Sequence, residues 1–425
     1  MKQFLKLWTG ELISNIGSGM TAFALSVYIY ERTKSVTYVS LITLLAYMPG
    51  IILSPVGGAL ADRYDRRMMM IIGDLFSGLG LLYILWNINI GNKSLIPIFA
   101  GTVFSSLFTG ILEPSYKATV TDVLSEEEYD RASGMIQMAG NAKYLISPAL
   151  GGVILSFWGM KAILILDIMT FIITSFIIFS VRKYVNKGKR VKKSSFILQM
   201  KEGFSEITEN RGIFSMVVTM FFVCFLIGIV QVLLRPLILS VSTVKTAGFM
   251  ESVCAVGMLF GSLWIGVRGL KGKYVRALSV AGVISGIFMS FTGMYFDLII
   301  TGIFIFLFFI TLPFINTCAD VLVRLNVSDE VQGRVWGVIG FITQIGMVIA
   351  FAVSGILVDM VFEPLMSKGI LTDSIGGFIG YGNRGGIGLM LMFSGIGMVL
   401  MFIIIGKNKA IKGLELGKEK VGNVS

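Results

Sequence analysis

Charged side chains set inside long apolar runs are the residues of this chain with chemistry to offer: Glu11, Glu113, Lys143, Arg235, Glu251 and Asp320, together with Asp74 and Asp167. An ionisable group inside a membrane-length apolar segment is costly, and it marks a pathway, a titrating position or a buried pair. A different chemistry belongs to the compact knot Gly57-Gly58-Ala59-Leu60-Ala61-Asp62-Arg63-Tyr64-Asp65-Arg66-Arg67, where mixed charge separates one apolar run from the next. Bond-making chemistry has no comparable signature. There is no phosphate-cradling glycine loop, no nucleophile beside a base and no metal-spaced cluster, so neither an enzyme nor a cofactor is expected. Histidine is absent, which excludes imidazole proton relays and histidine metal sites.

The elements that position these charges follow from composition. The chain has 425 residues, 55% of them hydrophobic and 14% charged, with a mean hydropathy of +0.83. That apolar surface exceeds what a soluble core can hide, so the chain is read as an integral membrane protein. Spanning segments must satisfy every backbone amide internally, and about 20 helical residues cross the hydrocarbon. Twelve apolar runs meet this condition, near 7–30, 36–60, 68–90, 96–113, 134–156, 161–181, 213–240, 246–267, 277–295, 298–320, 336–358 and 386–406. Their uninterrupted apolarity excludes a β-barrel, whose strands alternate. Lys2 and Lys6 precede the first run, but no small-residue cleavage site follows, so it is read as a retained first helix.

The net charge of +11 reflects topology and not nucleic-acid binding. Basic residues fall mostly on one side, in the 63–67 knot, the cluster from Arg182 to Lys201, the 268–276 turn and the C-terminal lysines, which places both termini in the cytoplasm of a plasma-membrane protein. Cys224, Cys254 and Cys318 lie within runs and read as small apolar fillers.

The chain reads as duplicated at a constant offset of 203 residues. Ser125-Glu126-Glu127-Glu128-Tyr129-Asp130-Arg131-Ala132-Ser133-Gly134 overlays Ser328-Asp329-Glu330-Val331-Gln332-Gly333-Arg334-Val335-Trp336-Gly337, while Gly58 falls on Gly261 and Gly152 on Gly355. Ser125 with Glu128 has the form of a capping box, and a role of Arg131 and Arg334 in pairing helices is the alternative. The expected organisation is an N-terminal bundle over 1–181, a cytoplasmic linker with an amphipathic helix over 182–212, a C-terminal bundle over 213–406 and a cytoplasmic tail over 407–425. Two six-helix halves of like orientation imply parallel repeats about an axis along the membrane normal, with a central cavity. The glycine-rich stretch from Phe362 to Gly386 reads as a long outer connector, or as a cap on the mouth.

The knot at 57–67 resembles the loop between the second and third helices of the major facilitator superfamily, in which Gly58, Leu60, Ala61, Asp62, Arg63, Arg66 and Arg67 match. Within that superfamily the chain resembles the bacterial drug-exporter branch that includes macrolide efflux proteins. The resemblance implies an all-α membrane fold of twelve transmembrane helices in two pseudo-twofold-related six-helix bundles. It also implies that Gly58, which permits close helix approach, and Asp62 with Arg63, Arg66 and Arg67 form a conformational latch reaching the eleventh helix. The alternative is a topology anchor, to which an acidic residue adds nothing. Asp65 replaces the family's glycine, which is expected to alter the turn. Ser147-Pro148-Ala149-Leu150-Gly151-Gly152 resembles part of an antiporter signature, with Pro148, Gly151 and Gly152 serving helix bending or packing.

Carried onto that fold, the first and fifth helices are neighbours, and a Glu11/Lys143 pair is expected, either broken during transport or permanently structural. Arg235, Glu251 and Asp320 rank as cavity charges above Asp167 and above Asp74, which is assigned to the cytoplasmic charge network; Glu113, next to Pro114, is placed at the cavity mouth. The implied function is a secondary exporter of amphipathic or hydrophobic small molecules by proton antiport. Alternatives are an exporter of an endogenous lipid-like molecule or siderophore, and a non-transporting membrane sensor. The expected partners are the lipid bilayer, a small amphipathic substrate and protons, with the chain acting as a monomer.

Overall fold

Apolar runs without polar punctuation leave the backbone one way to satisfy itself in lipid, and the chain takes it. The computed structural model describes residues 1–124, 128–181, 196–270, 272–294, 297–367 and 370–422, which are helical almost throughout and contain no strand. The helices are α1 (Lys2–Thr33), α2 (Val36–Arg63), α3 (Arg66–Asn89), α4 (Ile96–Val123), α5 (Tyr129–Leu145), α6 (Ser147–Val181), α7 (Phe196–Glu209) and α8 (Arg211–Leu239). They continue as α9 (Val244–Arg268), α10 (Tyr274–Thr292), α11 (Leu298–Arg324), α12 (Asp329–Leu357), α13 (Glu363–Ser367), α14 (Ile370–Ile379), α15 (Gly382–Lys407) and α16 (Lys409–Gly422). Many hydroxyls inside the spans donate to their own helix, as Thr43 does to the Val39 carbonyl at 2.8 Å and Thr102 to that of Ile98 at 2.8 Å, so they need no partner elsewhere.

Among the described residues, eleven helical stretches are long and apolar enough to cross a bilayer, one fewer than the sequence predicts. The discrepancy lies in Met135–Val181, 47 residues long, roughly twice one crossing at about 1.5 Å per residue. Gly159 breaks this stretch with φ +74°, a left-handed conformation that glycine adopts without penalty. The chain reverses there. Before the break, Ser147 abuts Gly19 and Gly151 abuts Phe23, so the first stretch runs parallel to α1; after it, Asp167 abuts Gly17 and Thr174 abuts Gly10, so the second runs antiparallel. The stretch is therefore two crossings, which brings the described residues to twelve.

The residues divide into two compact units, Met1–Lys192 with Ser242–Ser252, and Lys193–Val241 with Val253–Ser425. In the first, α1 packs on α5 and α6, and α3 on α4 and α6. The seams are lined by small residues that let backbones approach closely: a Cβ at Gly80 would stand 2.6 Å from the Gly101 carbonyl oxygen, and one at Gly57 would stand 2.5 Å from that of Gly110. The second unit repeats the pairings, with α8 on α12 and α15, and α10 on α11 and α15. Gly346, the counterpart of Lys143 at the 203-residue offset, lies so close to the Phe221 carbonyl, 2.6 Å from a would-be Cβ, that no side chain fits there.

Three expected connections take a different form. The region read as a tail is a docked helix: Glu415 of α16 accepts from the Val275 backbone at 2.6 Å, and Asn326 donates to the Leu414 carbonyl at 3.0 Å. The glycine-rich outer segment holds two short helices, α13 and α14, and Met366 and Ile379 bury with Leu389 in one apolar cluster. Residues 182–195 of the linker lie outside the described residues, but α7 is a helix of the second unit, and Glu202 pairs with Arg334 of α12 at 2.8 Å. Arg334 thus pairs helices as the alternative reading has it. Ser125 and the side chain of Arg131 lie outside the described residues.

Candidate functional site

The charge knot folds as a helix end, a two-residue turn and a helix start. Helix α2 ends at Arg63, and Asp65, with φ −66° and ψ 111°, caps α3 by accepting from the Arg67 amide at 3.1 Å. Asp65 also holds the Arg67 guanidinium at 3.3 Å, and Arg67 is buried. The position needs no left-handed backbone, so the aspartate found here in place of glycine does not disturb the turn but supplies an N-cap. Arg66 donates to the Ala118 carbonyl of α4 at 2.9 Å, tying the turn to the neighbouring helix. Arg63 is exposed beside the Tyr64 ring. The side chain of Asp62 lies outside the described residues.

Gly58 does not have the role expected of it. A Cβ there would meet nothing within 4 Å, whereas one at Gly57 would stand 2.8 Å from the Ile111 Cα as well as 2.5 Å from the Gly110 oxygen. One residue turns a helix by about 100°, so adjacent glycines face different neighbours, and it is Gly57 that permits α2 and α4 to touch.

Pro148 has no N–H to give the carbonyl four residues back, and α5 stops at Leu145, just ahead of it. Lys143 therefore lies in the last turn of α5, just before a one-residue break at Ile146 after which the helical path resumes at Ser147. It is half-buried, with its ammonium 5.6 Å from the centroid of the Tyr47 ring. Glu11 accepts instead from Asn15, one turn along α1, at 3.1 Å. The expected Glu11/Lys143 ion pair is absent: the Lys143 backbone meets α1 at Gly19, eight residues, or about 12 Å, beyond Glu11. Gly151 and Gly152 serve packing, with Gly151 against Met20 and Phe23, and Gly152 3.0 Å from the Val244 oxygen as measured from a would-be Cβ. In the same unit the Ala149 amide donates to Ser252 at 3.1 Å.

Two carboxylates ranked low in the sequence are the most deeply placed. Asp167 is buried under Gly17, with Thr170 at 3.3 Å and Ser18 at 3.5 Å from Oδ1. Asp74 is fully buried, and neither of its oxygens has a hydrogen-bond partner. It does not belong to the charge network of the knot. Gly78, one turn further along α3, packs on Phe171 of α6, which sets this stretch of α3 against α6.

Glu113 is exposed and paired with Lys117 on its own helix at 2.7 Å. Arg235 is half-buried in α8 beside Pro236, and Glu251 is half-buried in the part of α9 that belongs to the first unit. Asp320 is half-buried one turn before Arg324, whose guanidinium stands 5.8 Å from the Trp336 ring centroid. Cys254 and Cys318 are buried free thiols, and Cys224 is a half-buried one.

Comparison with known proteins gives these observations a frame. Macrolide efflux protein A of Streptococcus pyogenes is 26% identical over 374 residues, covering 84% of this chain and 90% of that protein. Enterobactin exporter EntS of Citrobacter koseri is 26% identical over 157 residues, 37% of this chain and 38% of its own length. Among solved structures, a bacterial homologue of the iron transporter ferroportin in an inward-facing state superposes with a TM-score of 0.72 at 14% identity, covering 96% of this chain and 99% of that one. The profile of the Major Facilitator Superfamily matches residues 7–351, and this multi-span membrane chain belongs to that superfamily.

Proposed function

We propose that the protein is a secondary active exporter of amphipathic or hydrophobic small molecules, working by alternating access and driven by inward proton movement. The observation that carries this reading is the likeness to macrolide efflux protein A over 84% of the chain, supported by the duplicated helix pairings and by the absence of a nucleotide-binding motif in the sequence. In this reading Asp62, Arg63, Arg66 and Arg67 act as the cytoplasmic latch, Arg235, Glu251 and Asp320 line the substrate path, and both termini are cytoplasmic. Inverted membrane vesicles supplied with a proton gradient test it. They are expected to accumulate a labelled macrolide or a lipophilic dye only while the gradient persists; accumulation indifferent to an uncoupler, or none, overturns it.

A second reading, export of an endogenous siderophore, takes support from the partial likeness to the enterobactin exporter. It predicts that the same vesicles take up a catecholate siderophore and leave macrolides outside.

A further inference from the structure

We propose that Asp74 is a proton-binding site inside the first unit, neutral in the conformation described here and exchanging its proton with water when the seam between α3 and α6 is hydrated. The argument begins with burial. Asp74 has no exposed surface, and both carboxylate oxygens are without hydrogen-bond partners. An ionised carboxylate in that position would lose its water without gaining anything in return, so the group must bind a proton.

The neighbours leave it no other route to neutrality. Helix α3 packs on α4 and α6, and less extensively on α2. Asp167 of α6 is engaged by Thr170 and Ser18, and Glu11 of α1 by Asn15, so neither offers Asp74 a counter-charge. From α4, Tyr116 shares the buried cluster with Met70, one turn before Asp74, and its hydroxyl also lacks a partner. Helix α2 carries charge only at Asp62 and Arg63, its C-terminal end. On α3 itself Arg67 is two turns away and holds Asp65. Lys143 lies over Tyr47.

Two hydroxyls of these helices are satisfied within the bundle without any acid. Ser77 donates to the Ser105 carbonyl at 3.0 Å and Thr174 to that of Thr170 at 2.7 Å. Ser175 of α6 also has a buried, unpartnered hydroxyl. An unsatisfied buried carboxyl offers a polar partner to water that enters when helices part. Uptake converts the carboxylate and a hydronium ion into a carboxylic acid and water, and release reverses this. The inference rests on the exporter reading for its role in coupling, but not for the state of the side chain.

Infrared difference spectroscopy of the purified full-length chain near neutral pH tests that state. A protonated carboxylic C=O band that shifts in heavy water and disappears in Asp74→Asn is expected, with Asp74→Glu retaining a displaced band; spectra identical in wild type and Asp74→Asn overturn the proposal. In proteoliposomes, Asp74→Asn is expected to lose gradient-driven accumulation of a labelled macrolide while keeping probe exchange at equal pH. Wild-type levels of accumulation in Asp74→Asn overturn the coupling role. A wild type that moves no probe under a gradient sinks the exporter reading instead, and the infrared band still decides the protonation of Asp74.

Discussion

Gly57 and Gly58 make a sharp test because they are adjacent, chemically identical and predicted to respond in opposite directions. A methyl group at 57 would stand 2.5 Å from the Gly110 oxygen and 2.8 Å from the Ile111 Cα, both backbone atoms of α4. Ordinary contact requires these to retreat by roughly 1 Å. Backbone cannot rotate away as a side chain does, so α2 and α4 must separate, and Gly110 is itself close to Gly50 on the same face. Overpacking of this kind costs about 1–3 kcal/mol, which for a unit of this size lowers the melting midpoint by about 2–12 °C. A methyl at 58 meets nothing within 4 Å, and replacing a helical glycine there gains up to about 1 kcal/mol of helix propensity. Thermal unfolding of purified Gly57→Ala and Gly58→Ala, followed by size-exclusion fluorescence, reads the difference. The expected result is a lowered midpoint for the first and an unchanged or raised one for the second. Equal losses, or the reverse order, would refute the assignment of the close approach to Gly57.

Two further predictions concern the charged residues. Asp65→Ala is expected to destabilise the chain by about 1 kcal/mol through loss of the α3 cap, with Asp65→Ser retaining most of the stability; equal midpoints for the two variants would remove the cap from the account. For Glu11→Gln and Lys143→Met, the double-mutant cycle is expected to give a coupling below about 0.5 kcal/mol, as for groups without shared partners. A coupling of several kcal/mol would restore the ion pair that the geometry rejects.

The crossings were readable in the sequence because apolar length alone dictates helices in lipid, and even the reversal at Gly159 falls between the two runs predicted on either side of it. What the sequence could not reveal is direction around a helix. Gly57 and Gly58 are equivalent as letters and differ only by the face each presents. Lys143 sits deep in an apolar run, yet Pro148 interrupts the helical path just after it and places the charge beside a break. Asp74 looked like an extension of the nearby arginine knot; its isolation depends on α6, about a hundred residues downstream. The glycines between Phe362 and Gly386 suggested a connector, but Met366 and Ile379 carry enough apolar surface to bury two short helices against α15.

In the proposed cycle substrate leaves by exchange with protons. Both fluxes can be followed in one preparation, with wild-type protein in liposomes holding an imposed pH difference and a trapped pH-sensitive dye. Addition of a macrolide is expected to accelerate collapse of the pH difference in step with movement of the labelled drug, and an uncoupler to stop accumulation. Drug movement with the pH difference unaffected would contradict the account.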